Sequence, residues 1–312
     1  ARSRFLHFGV KGVPGSVGVY DDPNGAHWTR FGTSLAAADV DGDGRSELVV
    51  GTELPYDADT FECAFVFKGG KKGIDTKSVQ VIPFDGDGSS VYASIGTPIL
   101  FAADLDVDGY GDLVFGCPEQ SAGGFLGAGT IHVFRGTAAG LDPTSHFQID
   151  RDLVVVAALA AQSAQFGRTC VCGDFDGDGV PEFVVGAPGD PIAMHNAAGS
   201  VHVFATGPAL VSTTGDYTLT QDDPGIATTS FDLEQFGIQL ASGDFDGDGF
   251  EDLLIAAPGE NVGVGGYAGA VHMIRGSAMG LDPTGSQFLT QTDLVVSDGP
   301  ESGDRFGSVL AR

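Results

Sequence analysis

Four stretches of this chain place acids at the first, third, fifth and ninth positions of a loop, with glycines between them. They are Asp39, Asp41, Asp43 and Glu47; Asp104, Asp106, Asp108 and Asp112; Asp174, Asp176, Asp178 and Glu182; and Asp244, Asp246, Asp248 and Asp252. Alternate residues of a tightly curled loop turn their carboxylates toward one centre, and a hard cation that takes about six to eight oxygens suits such a centre. The pattern predicts calcium, about four ions per chain. The backbone carbonyl of the seventh residue (Arg45, Tyr110, Val180 and Phe250) is a further donor, and the ninth-position acid completes each set. Magnesium prefers fewer protein ligands and a stricter octahedron. Transition metals recruit His or Cys, and these loops hold neither. A single Asp-x-Asp-Gly is ordinarily a solvated turn. Four in register are another matter, because carboxylates crowded into so short a loop repel one another without a cation. Asp85-Gly86-Asp87-Gly88 lacks a ninth-position acid, falls outside the register and reads as a plain turn.

The loops recur because the elements that hold them recur. Phe31-Gly32 returns as Ile95-Gly96, Phe166-Gly167, Phe236-Gly237 and Phe306-Gly307, at spacings of 64, 71, 70 and 70 residues. That period fits one four-stranded propeller blade with long loops. Each of the first four copies is followed by an alternating segment, the acidic loop and an apolar run: Glu47 to Gly51, Asp112 to Gly116, Glu182 to Gly186 and Asp252 to Ala256. The order reads as strand, metal loop, strand. Third strands follow at Cys63 to Phe67, Gly129 to Phe134, Gly199 to Phe204 and Gly269 to Ile274, and fourth strands at segments such as His146 to Ile149. Phe306 to Leu310 reads as a first strand, and three segments between Arg4 and Arg30 read as second, third and fourth. The expectation is one all-β domain over 1–312, a β-propeller of five four-stranded antiparallel blades. The blades are 306–312 plus 1–30, 31–94, 95–165, 166–235 and 236–305, the first shared between the two ends so that no open edge remains. The alternative is an incomplete seven-bladed propeller.

Composition narrows the partners. Forty-nine glycines and only 18% charged residues describe short strands and tight turns, since glycine weakens helices. A net charge of −27 with fifteen Lys and Arg lacks the cationic footprint that nucleic acid requires. No stretch approaches a membrane span; Leu153 to Ala161 is too short. Four cysteines are too few for a disulfide scaffold, and Cys170 and Cys172 share a strand face, a poor geometry for bonding each other. Free thiols and one bridge involving Cys63 or Cys117 are both open. His132, His202 and His272 recur at one repeat position, which holds them a blade apart; they are expected to be strand residues, not metal ligands. No Gly-x-Ser-x-Gly elbow, His-Glu-x-x-His or phosphate-binding glycine loop is present.

Phe-Gly, an Asp-x-Asp-Gly-Asp-Gly loop and then Gly186-Ala187-Pro188, with variants Gly116-Cys117-Pro118 and Ala256-Ala257-Pro258, resemble the FG-GAP repeat of integrin α-chain propellers. The resemblance implies calcium loops on one face and variable loops on the other, where recognition usually lives. Those variable loops carry Tyr56, Phe61, Phe125, His195 and Tyr267, which could stack on a sugar or peptide. The function expected is an extracellular, calcium-stabilised binding or adhesion module for a protein or glycan, secreted or at a cell surface, or periplasmic. The alternatives are a polysaccharide-acting lyase or hydrolase, or a module of one, and a purely structural assembly propeller.

Overall fold

The computed structural model describes residues 30–53, 61–84, 99–144, 146–150, 163–263, 266–293 and 299–310. Among them lie sixteen strands, one 3-10 turn at Gln291–Asp293 and no α-helix. The strands form four antiparallel sheets, each a simple meander of four. The first holds β1 (Arg30–Ala38), β2 (Glu47–Glu53), β3 (Phe61–Phe67) and β4 (Val79–Phe84). The second holds β5 (Ile99–Ala103), β6 (Asp112–Cys117), β7 (Thr130–Phe134) and β8 (His146–Asp150). The third holds β9 (Thr169–Gly173), β10 (Glu182–Ala187), β11 (Ser200–Gly207) and β12 (Leu210–Leu219). The fourth holds β13 (Leu240–Gly243), β14 (Asp252–Ala257), β15 (Ala270–Arg275) and β16 (Asp282–Leu289).

The core lies between the sheets. Val49, Ala64 and Val66 of the first blade pack on Leu113, Phe115 and Phe134 of the second. Val114, Ile131 and Val133 meet Phe183, Val185 and Phe204 of the third, and Val184, Val201 and Val203 meet Leu253, Ile255 and Ile274 of the fourth. Each middle blade is therefore covered on both faces. That is why β6 and β7 are buried along their whole length and read as apolar runs instead of alternating. First strands pack in succession, β1 with β5, β5 with β9 and β9 with β13, as the inner strands of a propeller do.

The repeated Phe-Gly and Gly-Ala-Pro elements are the two halves of one blade-to-blade lock. The Phe166 and Phe236 rings are fully buried, and their peptide N–H groups donate to the carbonyls of Ala128 and Ala198 in the preceding blade at 3.0 and 2.9 Å. The Gly237 carbonyl then passes so close to Gly186 that a Cβ there would sit 2.0 Å from its oxygen. Gly116 meets Gly167 in the same way. Only glycine allows that approach.

Phe306 N–H donates to Ala268 at 2.8 Å, so the lock recurs at the end of the fourth blade. The residues after it differ from expectation: Phe306 to Leu310 form a turn and an irregular stretch, because Phe-Gly opens the turn that precedes a first strand, as at Phe236-Gly237. The other residues expected to form a shared fifth blade, 1–29, lie outside the described residues, as do Tyr56, Ile95-Gly96 and Asp85 to Gly88. Cys117 is a buried free thiol.

Candidate metal centres and the opposite face

The connections β1–β2, β5–β6, β9–β10 and β13–β14 are the four acidic loops, and antiparallel topology puts them all at one end of their blades. In each, the first, third and fifth acids come together: Asp39, Asp41 and Asp43; Asp104, Asp106 and Asp108; Asp174, Asp176 and Asp178; Asp244, Asp246 and Asp248. Within each trio the carboxylate oxygens approach to within 4.8 Å of one another. The first Asp curls the loop. Oδ1 of Asp39 accepts the Asp43 N–H at 3.0 Å and Oδ2 the Gly44 N–H at 2.7 Å, and Asp104 does the same with Asp108 and Gly109. The fifth Asp accepts the N–H of the seventh residue in all four loops, Arg45, Tyr110, Val180 and Phe250.

The curl needs left-handed backbone at the fourth and sixth positions. Gly42, Gly177 and Gly247 supply the fourth, with φ of 69, 76 and 80°, but the second loop has Val107 there at φ 56°. The glycines also leave room for the next loop. A Cβ on Gly42 would lie 2.7 Å from the Tyr110 ring, and one on Gly177 would lie 2.7 Å from the Phe250 ring.

The ninth-position acids sit apart from the trios. Each accepts the N–H of the second loop residue: Val40 to Glu47, Leu105 to Asp112, Phe175 to Glu182 and Phe245 to Asp252, at 2.9 to 3.1 Å. Three also accept an N–H from the end of the third strand, Gly69 to Glu47, Gly136 to Asp112 and Gly276 to Asp252. They tie the loop, the second strand and the third-strand exit together. Burial pushes Asp112 up to about 6 and Glu182 up to about 7, against the pull of these amide bonds.

Sequence reasoning missed a cation that enters three of the four loops. Lys68 pairs with Asp41 and, at 3.5 Å, with Asp43; Arg135 pairs with Asp106 and, at 3.8 Å, with Asp108; Arg275 lies 3.5 Å from Asp246. All three follow the apolar core of a third strand, and that shared repeat position was the available signal. The donor set fits calcium: hard carboxylate oxygens in threes, with both Asp106 oxygens buried beside Arg135.

At the other end of the blades, the β6–β7 and β10–β11 loops turn at Ala122–Phe125 and Ile192–His195 through reciprocal amide bonds. Phe125 is half-buried. The His195 ring packs at a tilt of 53° on Phe231, centroids 5.6 Å apart, and lies 3.7 Å from Asp232. Tyr267, held at φ 57°, lines a cavity of about 310 Å³ with Leu233, Gln235, Pro258, Gly259 and Arg305. Phe61 lies on β3. Leu126, Met194, Phe231 and Leu233 on this face are exposed by half or more.

Beneath these loops the second, third and fourth blades bury a polar group at one repeat position, Gln120, Asp190 and Glu260. Ser200 donates to Asp190 at 2.6 Å and lies 3.0 Å from His202 Nε2, while Thr218 meets Nδ1 at 3.2 Å. The residue types are those of a hydrolytic triad, but all three side chains are buried, and the acid faces the serine instead of Nδ1. That geometry does not match a triad, and the three histidines lie on the third strands β7, β11 and β15. His132 and His272 are likewise buried.

The FG-GAP repeat model matches residues 31–60, 166–204 and 236–272. The rat phosphatidylinositol-glycan-specific phospholipase D is 33% identical over 54% of this chain and 19% of its own length. The mouse integrin alpha-IIb is 29% identical over 59% of this chain and 16% of its own. The chain thus spans less than a fifth of these curated relatives. Among solved structures, an exotype rhamnogalacturonan lyase superposes with a TM-score of 0.48 at 13% identity, over 90% of this chain and 51% of that one, too loose a likeness to bear on function. The chain thus carries the FG-GAP repeat in three places, on a propeller-like fold of four-stranded antiparallel blades.

Proposed function

We propose that the chain is an extracellular, calcium-stabilised binding module that contacts a protein or glycan through the face opposite its acidic loops. In this reading Asp39, Asp104, Asp174, Asp244 and their loop partners each hold one calcium, which neutralises the crowded carboxylates and contributes folding free energy by linkage. The observation that carries the binding role is that loops at the far end of the blades expose the apolar side chains Leu126, Met194, Phe231, Leu233 and Tyr267, and that Leu233 and Tyr267 line a cavity there. Among the described residues no helix is long and apolar enough to cross a membrane. The closed ring, with a fifth blade from 306–312 and 1–30, belongs to the same proposal; the lock repeated at Phe306 supports it.

A printed glycan array and a panel of immobilised extracellular-matrix proteins, probed with calcium-loaded protein, test this reading. Binding that is lost in Tyr267→Ala and Met194→Asp and kept in Met279→Asp, a change at the metal end, is the expected result. Binding that follows Met279 instead, or no binding to any probe, overturns it.

A further inference from the structure

The four loops share their trios of acids but not their surroundings. Directly after the apolar core of the third strand stands a Lys-Gly or Arg-Gly pair in three blades, Lys68-Gly69, Arg135-Gly136 and Arg275-Gly276. The third blade has Ala205-Thr206 in its place. Both members of the pair act on the loop. The cation meets the carboxylate of the third acid, and for Lys68 and Arg135 that of the fifth as well, and the glycine N–H holds one oxygen of the ninth acid. The first loop carries a second cation, Arg45, which lies 2.7 Å from Asp43.

In the third blade neither restraint is present. Among the described residues no cationic nitrogen pairs with Asp174, Asp176 or Asp178. Thr206 turns its hydroxyl to the Pro181 carbonyl, and among the described residues the only amide from another residue that reaches Glu182 is that of Phe175. The Asp174 loop therefore holds its full negative charge uncompensated and leaves its ninth acid the freest to turn inward.

We infer that the calcium sites are graded by the residue pair that follows each third strand, and that the Asp174–Glu182 loop is the tightest and fills first. This rests on the calcium reading above and goes beyond it, because it assigns Lys68, Arg135 and Arg275 as built-in competitors for the ion. A unit positive charge about 5 Å from a divalent ion, in an effective dielectric close to that of water, changes affinity by about tenfold.

Calorimetric titration of the chelator-stripped full chain with calcium chloride tests the grading. The expected result is one ion bound about tenfold or more tighter than the rest. Asp176→Asn should remove that tight ion alone. Ala205→Arg, at an exposed position on β11, should weaken it about tenfold with the number of ions unchanged, and Arg275→Ala should tighten one of the weaker ions. Circular dichroism of Ala205→Arg with saturating calcium separates a folding failure from a change of affinity. Four ions of equal affinity, or a tight ion indifferent to Ala205→Arg and Asp176→Asn, overturn the grading and leave the calcium reading standing. No calcium bound at any loop overturns both.

Discussion

Val107 is a β-branched residue held at φ 56° and half exposed, in a loop position where the other three blades have glycine. Left-handed backbone costs a non-glycine residue roughly 1–2 kcal/mol. The larger unfolded-state entropy of glycine takes back about 0.5–1 kcal/mol. Little burial is lost, so Val107→Gly should stabilise the protein by about 0.5–1 kcal/mol. The reverse exchange at the equivalent position should do the opposite and more. Gly177→Val would impose the same backbone strain at φ 76° and drive its Cβ to 2.7 Å from the Phe250 ring, a loss of about 2–3 kcal/mol. Urea unfolding followed by circular dichroism, in excess calcium and again in chelator, measures both. Neither side chain offers a ligand atom, so the signs should hold in both conditions. A Val107→Gly variant that is no more stable than the parent, beside a tolerated Gly177→Val, would refute the account of how these loops curl and interlock.

Asp252→Ala should cost about 2–4 kcal/mol even in chelator, because it orphans the Phe245 and Gly276 amides, whereas Asp248→Asn should matter only when calcium is present. Burial, and then Glu234, raise Glu260 from the usual carboxylate range to about 7. The folded state thus keeps its proton to higher pH than the unfolded chain, and about 3 kcal/mol of stability should drain away as pH rises from about 4.5 to about 7. In saturating calcium, Glu260→Gln should flatten that slope; an unchanged slope contradicts the assignment. Both ring nitrogens of His272 are buried without a hydrogen-bond partner, and burial lowers it to about 4, so it weakens the fold as pH falls from about 6.5 through about 4. His272→Phe, the residue that Phe65 already supplies at this place in the first blade, should add about 1–2 kcal/mol at neutral pH and more at pH 5, read as a shift in urea midpoint.

The strands were legible because each blade repeats its pattern: the runs beginning at Glu47, Asp112, Glu182 and Asp252 open second strands as expected, and the third strands begin within two residues of expectation. The loop trios were legible too, since alternate acids in a curled loop must converge. The ninth acids were only half legible. Their position in the repeat was plain, but their tie to Gly69, Gly136 and Gly276 depends on where the third strand leaves the sheet, which spacing along one loop does not encode. The cations at Lys68, Arg135 and Arg275 were hidden for the same reason, lying more than twenty residues from the acids they meet. Of the proposed ligand residues, Tyr267 shares a cavity with Arg305 from the start of the next repeat, a meeting that only the blade-to-blade lock brings about.

Metal content and thermal unfolding of the same preparation test the central claim most directly. Purified protein dialysed against micromolar calcium should carry about four calcium ions per chain by atomic emission, and its melting temperature should fall by ten degrees or more, an order-of-magnitude figure, when chelator strips them. Protein that binds no calcium and melts at the same temperature with and without chelator would mean that the acidic loops are solvated turns, and would contradict the account.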